Sequence, residues 1–187
     1  LVMPYAPFRA AAEELRYDID RLDRRFNAGF EHACHRLTTL RRPGDAGIPF
    51  HLVRIDVAGN VTFRFNGSGL RIARYGGICP RWNIHTAFLT PGRVQTQLAE
   101  TPDGGSWLCL ARTVEEPAPH AAPGAIGLGC DASAARRVVY ADGLDVANGP
   151  RVPIGVNCRL CSRTDCGQRV FRALDLTLSG QAAGPSD

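Results

Sequence analysis

The stretch NCRLCSRTDCGQRVF, residues 157–171, sets three cysteines within nine positions. Thiols this close together hold a metal, form disulfides, or work as a redox pair with a spare sulfur. The chain has seven cysteines, Cys34, Cys79, Cys109, Cys130, Cys158, Cys161 and Cys166, an odd number. Its opening residues carry neither the basic nor the apolar region of a signal peptide, so the sequence reads as cytoplasmic, where thiols stay reduced and a disulfide framework is disfavoured. No thioredoxin-like βαβ pattern precedes Cys158, which sets the redox pair aside. Cys34 on an apolar helix face and Cys109 between Leu108 and Leu110 read as small buried hydrophobes. What remains is Cys158-x-x-Cys161-x-x-x-x-Cys166, whose spacing can turn three sulfurs to one point. A closed site asks for a fourth ligand. Cys130 in GLGCD fits, since it ends an ordered element and Gly129 permits close approach. Spacing leaves structural zinc and a 4Fe-4S cluster both open, and Arg159, Arg163 and Arg169 would offset the negative charge of either.

The elements that must position these residues follow from periodicity. Phe8, Ala12, Leu15, Ile19, Leu22 and Phe26 alternate steps of three and four, one greasy face of a long helix. NAG at 27–29 ends it, with a glycine for the left-handed position, and a second helix over 30–40 buries Phe30, Cys34, Leu37 and Leu40. The pair also has the look of a helix-turn-helix, with Gly29 in the turn and His35, Arg36 and Arg41 on the second helix. The acids Glu13, Glu14, Asp18, Asp20 and Asp23 on the first helix sit badly near phosphates, and a plain packing hairpin is the simpler reading. After RRPGDAG the period becomes two. FHLVRIDVAGNVTFRF reads as strand, tight turn at 58–60, strand, with Leu52, Arg54 and Asp56 on one face and Val53, Ile55 and Val57 on the other. Strands are expected at GLRIARY, GRVQTQLAE, SWLCLARTV and AIGLGCD, helices at NIHTAFLT and SAARRVVYADGL, and a loop at EEPAPHAAPG. The expected fold is α+β: a mostly antiparallel sheet with flanking helices, preceded by a helical pair and followed by a cysteine-ligated metal-cluster segment. The divisions fall at 1–44 (helical pair), 45–128 (α+β core), 129–172 (cysteine segment) and 173–187 (flexible tail).

Composition sets limits on function. At 187 residues and 44% apolar content the chain can bury a real core, and it contains no apolar run long enough to span a bilayer. All 22 basic residues are arginine, for a net charge of +4, a balance that GC-rich coding explains as readily as nucleic-acid binding. The abrupt start on a helix edge reads as part of something longer.

Taken together, MPYAPFRAAAEELRYDIDRLDRRF, FEHACHRLTTLRRPG, PFHLVRIDVAGN, YGGICPRWNIHTAF, PGRVQTQLAETPDG, GLGCD, VYADGLD and VPIGVNCRLCSRTDCGQRVF resemble the C-terminal sensor region of the short-chain fatty acyl regulators, bacterial transcription factors. The resemblance covers nearly the whole chain to about residue 171. It implies an N-terminal DNA-binding helix-turn-helix outside this sequence and an intermediate region similar to the zincin-like ImmA/IrrE domain, whose tail is the helical pair. No His-Glu-x-x-His occurs here, so no peptidase site carries over. It further implies a ligand sensor and not an enzyme, one that binds coenzyme A or short-chain acyl-CoA such as propionyl-CoA, holds a 4Fe-4S cluster on Cys130, Cys158, Cys161 and Cys166, assembles as a homo-oligomer (tetramer or dimer), and controls propionate and methylcitrate-cycle genes.

Acyl-CoA recognition wants arginine forks for phosphates, a flat face for adenine and an apolar slot for the pantetheine arm. Arg64, Arg71 and Arg74, expected on adjacent strands, with Arg81, Trp82 and His85 in RYGGICPRWNIH, form the expected pocket, and Tyr140 would link it to the cluster. Two rivals stay open: a zinc-stapled DNA-binding module on residues 15–40, and an acyltransferase using Cys79 or His85, for which no nucleophile stands beside a base in any motif.

Overall fold

The computed structural model describes residues 3–74, 76–115 and 121–174. Most of the expected tail, half of the loop at 115–124 and Tyr75 of GLRIARY lie outside the described residues. Six strands form one sheet: β1 (His51–Ile55), β2 (Val61–Asn66), β3 (Gln95–Glu100), β4 (Ser106–Val114), β5 (Gly124–Asp131) and β6 (Val152–Pro153). Their order is β2-β1-β5-β4-β3-β6, antiparallel throughout except for the β3–β6 pair. β5 runs across residue 128, and β6 returns to the same sheet.

The alternation expected in β1 holds, but both faces are covered. Leu52, Leu108, Leu110, Ile126, Leu128 and Cys130 pack with the helices on one face. Val53, Ile55, Cys109, Ala111 and Ala125 pack with Ile78, Cys79, Trp82 and Ile84 on the other. A sheet buried on both sides explains why β4 and β5 read as near-continuous apolar runs. The β1–β2 turn is set by Asp56, whose carboxylate accepts from the Asn60 backbone N–H at 2.8 Å and from its side-chain amide at 2.9 Å.

The expected long first helix is two, α1 (Tyr5–Glu14) and α2 (Ile19–Phe26), followed by α3 (Phe30–Thr38). Arg16 and Tyr17 break it, at φ 50° and 59°, a left-handed conformation that costs non-glycine residues about 1–3 kcal/mol each. Long-range contacts offset that cost. The Arg16 guanidinium donates to both Asp142 oxygens at 2.8 and 2.6 Å, and its carbonyl accepts from Val139 N–H at 2.8 Å. The Tyr17 ring is buried against Phe50, with its hydroxyl accepting from Ile48 N–H and donating to Glu13. Asn27 and not Gly29 is the left-handed residue that ends α2; Gly29 instead begins α3.

Two further expectations fail locally. GLRIARY forms no strand among its described residues: Leu70, Ile72 and Ala73 are buried, but the segment crosses the second face irregularly, with a bridge between Asn60 and Gly77 just beyond it. The helix expected over SAARRVVYADGL is two 3₁₀ turns, Ala132–Arg137 and Val139–Ala141, separated by an extended Val138. NIHTAFLT gives one turn of helix, α4 (Asn83–Thr86), continued by the 3₁₀ turn Ala87–Leu89. Among the described residues no helix is long and apolar enough to cross a membrane.

Candidate metal centre and the surrounding clefts

After β6 the chain leaves the sheet edge as the cysteine loop, and one arginine organises it. Arg169 donates to the carbonyls of Cys158 (2.7 Å), Cys161 (3.2 Å) and Arg163, so its guanidinium is the hub around which the loop is wound. Arg163 reaches back to the Glu100 carbonyl at 3.0 Å, fastening the loop to β3. Arg159 lies 4.7 Å from the Phe171 ring. Arg169 also favours the charged form of the Cys166 thiol, and so does Arg81, whose side chain bonds to it.

Cys158, Cys161 and Cys166 are all half-buried. The Cys158 sulfur accepts from Val170 N–H at 3.4 Å. The Gln168 N–H and the Arg81 side chain hold the Cys166 thiol below its usual range, against slight burial. Cys79, buried on the same face of the sheet, adjoins this loop: its backbone N–H donates to the Val156 carbonyl at 3.2 Å. Burial pushes its thiol up, N–H groups of Arg81 and Gly155 pull it down, and Cys161 and Cys158 are near enough to raise it.

Cys130 is placed differently. It is 0% exposed within the helix-side core, where burial and the Asp131 carboxylate push its thiol up to about 12 against the pull of Arg137. The close approach that Gly129 permits is by His51: a Cβ on Gly129 would lie 2.5 Å from the imidazole and 2.7 Å from the Leu108 carbonyl. Cys34 and Cys109 are core residues as expected, both with thiols raised by burial. Among the described residues no three His, Cys, Asp or Glu side chains converge closely enough to hold a metal ion as they stand.

The residues expected to recognise acyl-CoA are dispersed. Arg64 on β2 donates to the Ile72 carbonyl at 3.5 Å. Arg71 and Arg74 are exposed on the irregular segment and not on a strand. Arg71 shares a cleft of ≈ 200 Å³ with Thr101, Asp103, Trp107, Leu160 and Cys161. Trp82 is 4% exposed, so its indole offers adenine no open face, and its Nε1 lacks a partner. His85 sits under the β1–β2 turn against Gly59, its pKa lowered by burial. Tyr140 is on the other face of the sheet from Trp82, its hydroxyl accepting from the Ile19 N–H at 3.0 Å. A groove not foreseen in the sequence lies between α3 and β2: Met3, His32, His35, Thr38, Phe63 and Phe65 line an open depression of ≈ 520 Å³, with His35 edge-on to Phe63 at 4.7 Å. That contact seats α3 on the sheet and weakens the reading of α2–α3 as a groove-reading helix-turn-helix.

Comparison with known proteins decides the family. The family described as "Short-chain fatty acyl coenzyme A regulator, C-terminal" matches residues 39–184. The chain belongs to this family. Residues 1–38 match the family described as "IrrE N-terminal-like domain". The chain is 49% identical over 181 residues to the "Propionyl-CoA carboxylase regulator" of Cereibacter sphaeroides, covering 95% of this chain and 39% of that protein. It is 47% identical over 177 residues to the "HTH-type transcriptional regulator PrpR" of Mycobacterium tuberculosis, covering 91% of this chain and 36% of that protein. A solved structure, "Mycobacterium tuberculosis transcriptional regulator", superposes with a TM-score of 0.87 at 42% identity, covering all of this chain and 57% of that one. The chain therefore spans less than half the length of these curated relatives. Both of these relatives are named as regulators.

Proposed function

We propose that this chain is the sensing portion of a bacterial transcriptional regulator of propionate and short-chain acyl-CoA metabolism, binding CoA or a short-chain acyl-CoA such as propionyl-CoA together with a 4Fe-4S cluster. The observation that carries the reading is the family match over residues 39–184, which includes the whole cysteine loop. Operator DNA is engaged through an N-terminal helix-turn-helix domain outside these residues, and the protein works as a homo-oligomer.

Three cysteines of the loop fit the cluster. Their sulfurs are soft, the Cys158 sulfur accepts from the Val170 N–H, and the Gln168 N–H and Arg81 favour the thiolate of Cys166. Cys130 fits poorly, being on the opposite face of the sheet. A four-iron cluster would be held by these loop cysteines and would supply a redox-active group there. The α3–β2 groove is within the size range of small-ligand sites. Its apolar walls, edged by two histidines, suit a pantetheine arm better than the region around the buried Trp82.

A ligand shifts such a regulator only by binding its two states unequally. Calorimetric titration of the full-length protein with propionyl-CoA, CoA and 3′-dephospho-CoA, repeated with operator DNA present, tests the reading. Saturable binding that changes DNA affinity is expected, and binding of no acyl-CoA would sink it.

A further inference from the structure

We infer that the segment 136–142 is a strap that keeps α1 and α2 apart as two helices, and that through it a rearrangement of the sheet reaches α1. The regulatory half of the inference rests on the proposed sensing function.

Two conformations compete at the break. Phe8, Ala12, Leu15, Ile19, Leu22 and Phe26 keep one helical stripe across it, and RAAAEELR, residues 9–16, consists of strong helix formers, so local preference favours one continuous helix. Arg16 and Tyr17 instead take the left-handed conformation, at φ 50° and 59°, which neither residue favours. The break also frees the Arg16 carbonyl and the Ile19 N–H, which a continuous helix would pair with the Asp20 N–H and the Leu15 carbonyl. Two consecutive residues of one distant segment take up both groups. Val139 N–H donates to the Arg16 carbonyl at 2.8 Å, and the Tyr140 hydroxyl accepts from the Ile19 N–H at 3.0 Å. Asp142 receives the Arg16 guanidinium through both of its oxygens, and Arg137 donates to Glu13 and to the Tyr17 hydroxyl. These backbone groups of the broken form are therefore satisfied only while 136–142 stays in place.

The strap's place in the fold connects it to the sheet. Residues 1–38, which contain the break, match one family, and residues 39–184, which contain the strap, match another, so these contacts join two units. The strap belongs to the segment that follows directly on β5, the strand paired with β1 on one side and β4 on the other. Asp131, at the end of β5, starts that segment by accepting from the Ser133 N–H at 2.8 Å. A shift at this end of β5 is thus delivered within a few residues to the break. The Arg16 and Asp142 side chains are 44% and 58% exposed, and an ion pair so open to water adds little net stability, which leaves the strap able to let go. Closing the break swings α1 away from α2, where Phe8 now packs against Phe26, so the signal passed on is a new direction of α1. A ligand that binds the two positions of β5 unequally shifts the break with it.

The test uses the full-length protein and two variants that release the strap. Asp142→Ala removes the ion pair. Val139→Pro removes only the N–H given to Arg16, at the first residue of a 3₁₀ turn and after an extended Val138, the conformation that a following proline requires. Hydrogen exchange over 13–20 and 136–142, the Kd of propionyl-CoA, and operator affinity with and without propionyl-CoA are read for each. Both variants are expected to exchange faster in 136–142 and to bind propionyl-CoA as the wild type does, while the change in operator affinity that it produces shrinks by about threefold or more. In the double variant R16G/D142A, glycine takes the left-handed conformation freely, so the break persists and the coupling returns. Exchange in 136–142 like that of the wild type, or fast exchange with full coupling, overturns the inference. A double variant no better coupled than D142A overturns the break as the element that is held. A wild type whose operator affinity ignores propionyl-CoA sinks the sensing reading alone, and the exchange data then decide whether the strap holds the break.

Discussion

His51 is a single residue whose burial makes the fold less stable in acid. It is 2% exposed, its Nδ1 bonds the Ser68 hydroxyl at 2.8 Å, and burial lowers its pKa from 6.5 to about 3. As pH falls below 6.5 the unfolded chain takes up a proton that folded His51 refuses, so stability declines by up to about 1.4 kcal/mol per pH unit from this group. Urea unfolding at pH 7 and pH 5 should show that loss, and the pH slope should flatten in His51→Gln. Its neighbour is equally constrained. Gly129→Ala forces a methyl into the imidazole and the Leu108 carbonyl and should cost about 1–3 kcal/mol by overpacking, read as a lower urea midpoint. At the first helix break, Tyr17→Phe removes the acceptor for Ile48 N–H and the donor to Glu13, with an expected loss of about 1–3 kcal/mol.

At the scale of elements, the cysteine loop has little regular structure, and Arg169 stands in for it. Arg169→Gln should leave the sheet intact while freeing three carbonyls; hydrogen exchange within 157–171 is expected to rise with little change at β4 and β5, whereas uniform change across both would contradict the hub. The sequence made much of the fold legible: β4 appears where SWLCLARTV indicates and β5 where AIGLGCD indicates, because alternation and apolar runs are local properties. The break at Arg16 and Tyr17 was not legible, since no glycine or proline announces it and its partners, Asp142 and Ile48, are far along the chain. The same limit applies to the cysteines: Cys158, Cys161 and Cys166 are neighbours in sequence, whereas the face of the sheet on which Cys130 lies is set by packing against the helices and no local pattern announces it.

On the scale of the whole molecule, the sheet separates two cores with different work. Helices α1–α3 and Tyr140 lie on one side, and α4, Cys79, Trp82 and the cysteine loop on the other. Anything that binds the folded chain alone stabilises it, by roughly 2.7 kcal/mol for a ligand at a hundred times its Kd. Thermal unfolding of the full-length protein should therefore rise with propionyl-CoA and, separately, with reconstituted iron and sulfide, and fall again on chelation. Coincident, non-additive shifts would show the two ligands acting on one cooperative unit.

The short strand β6 carries a last consequence. It pairs with β3 only at Ala99 and Glu100 and ends in Pro153, so it works as a guard rail: it occupies a border where a foreign strand would otherwise dock, and the proline refuses further pairing. The cysteine loop begins four residues beyond it. A chain whose cysteine loop came loose would loosen that guard, and the first symptom would be self-association through a newly opened border of the sheet.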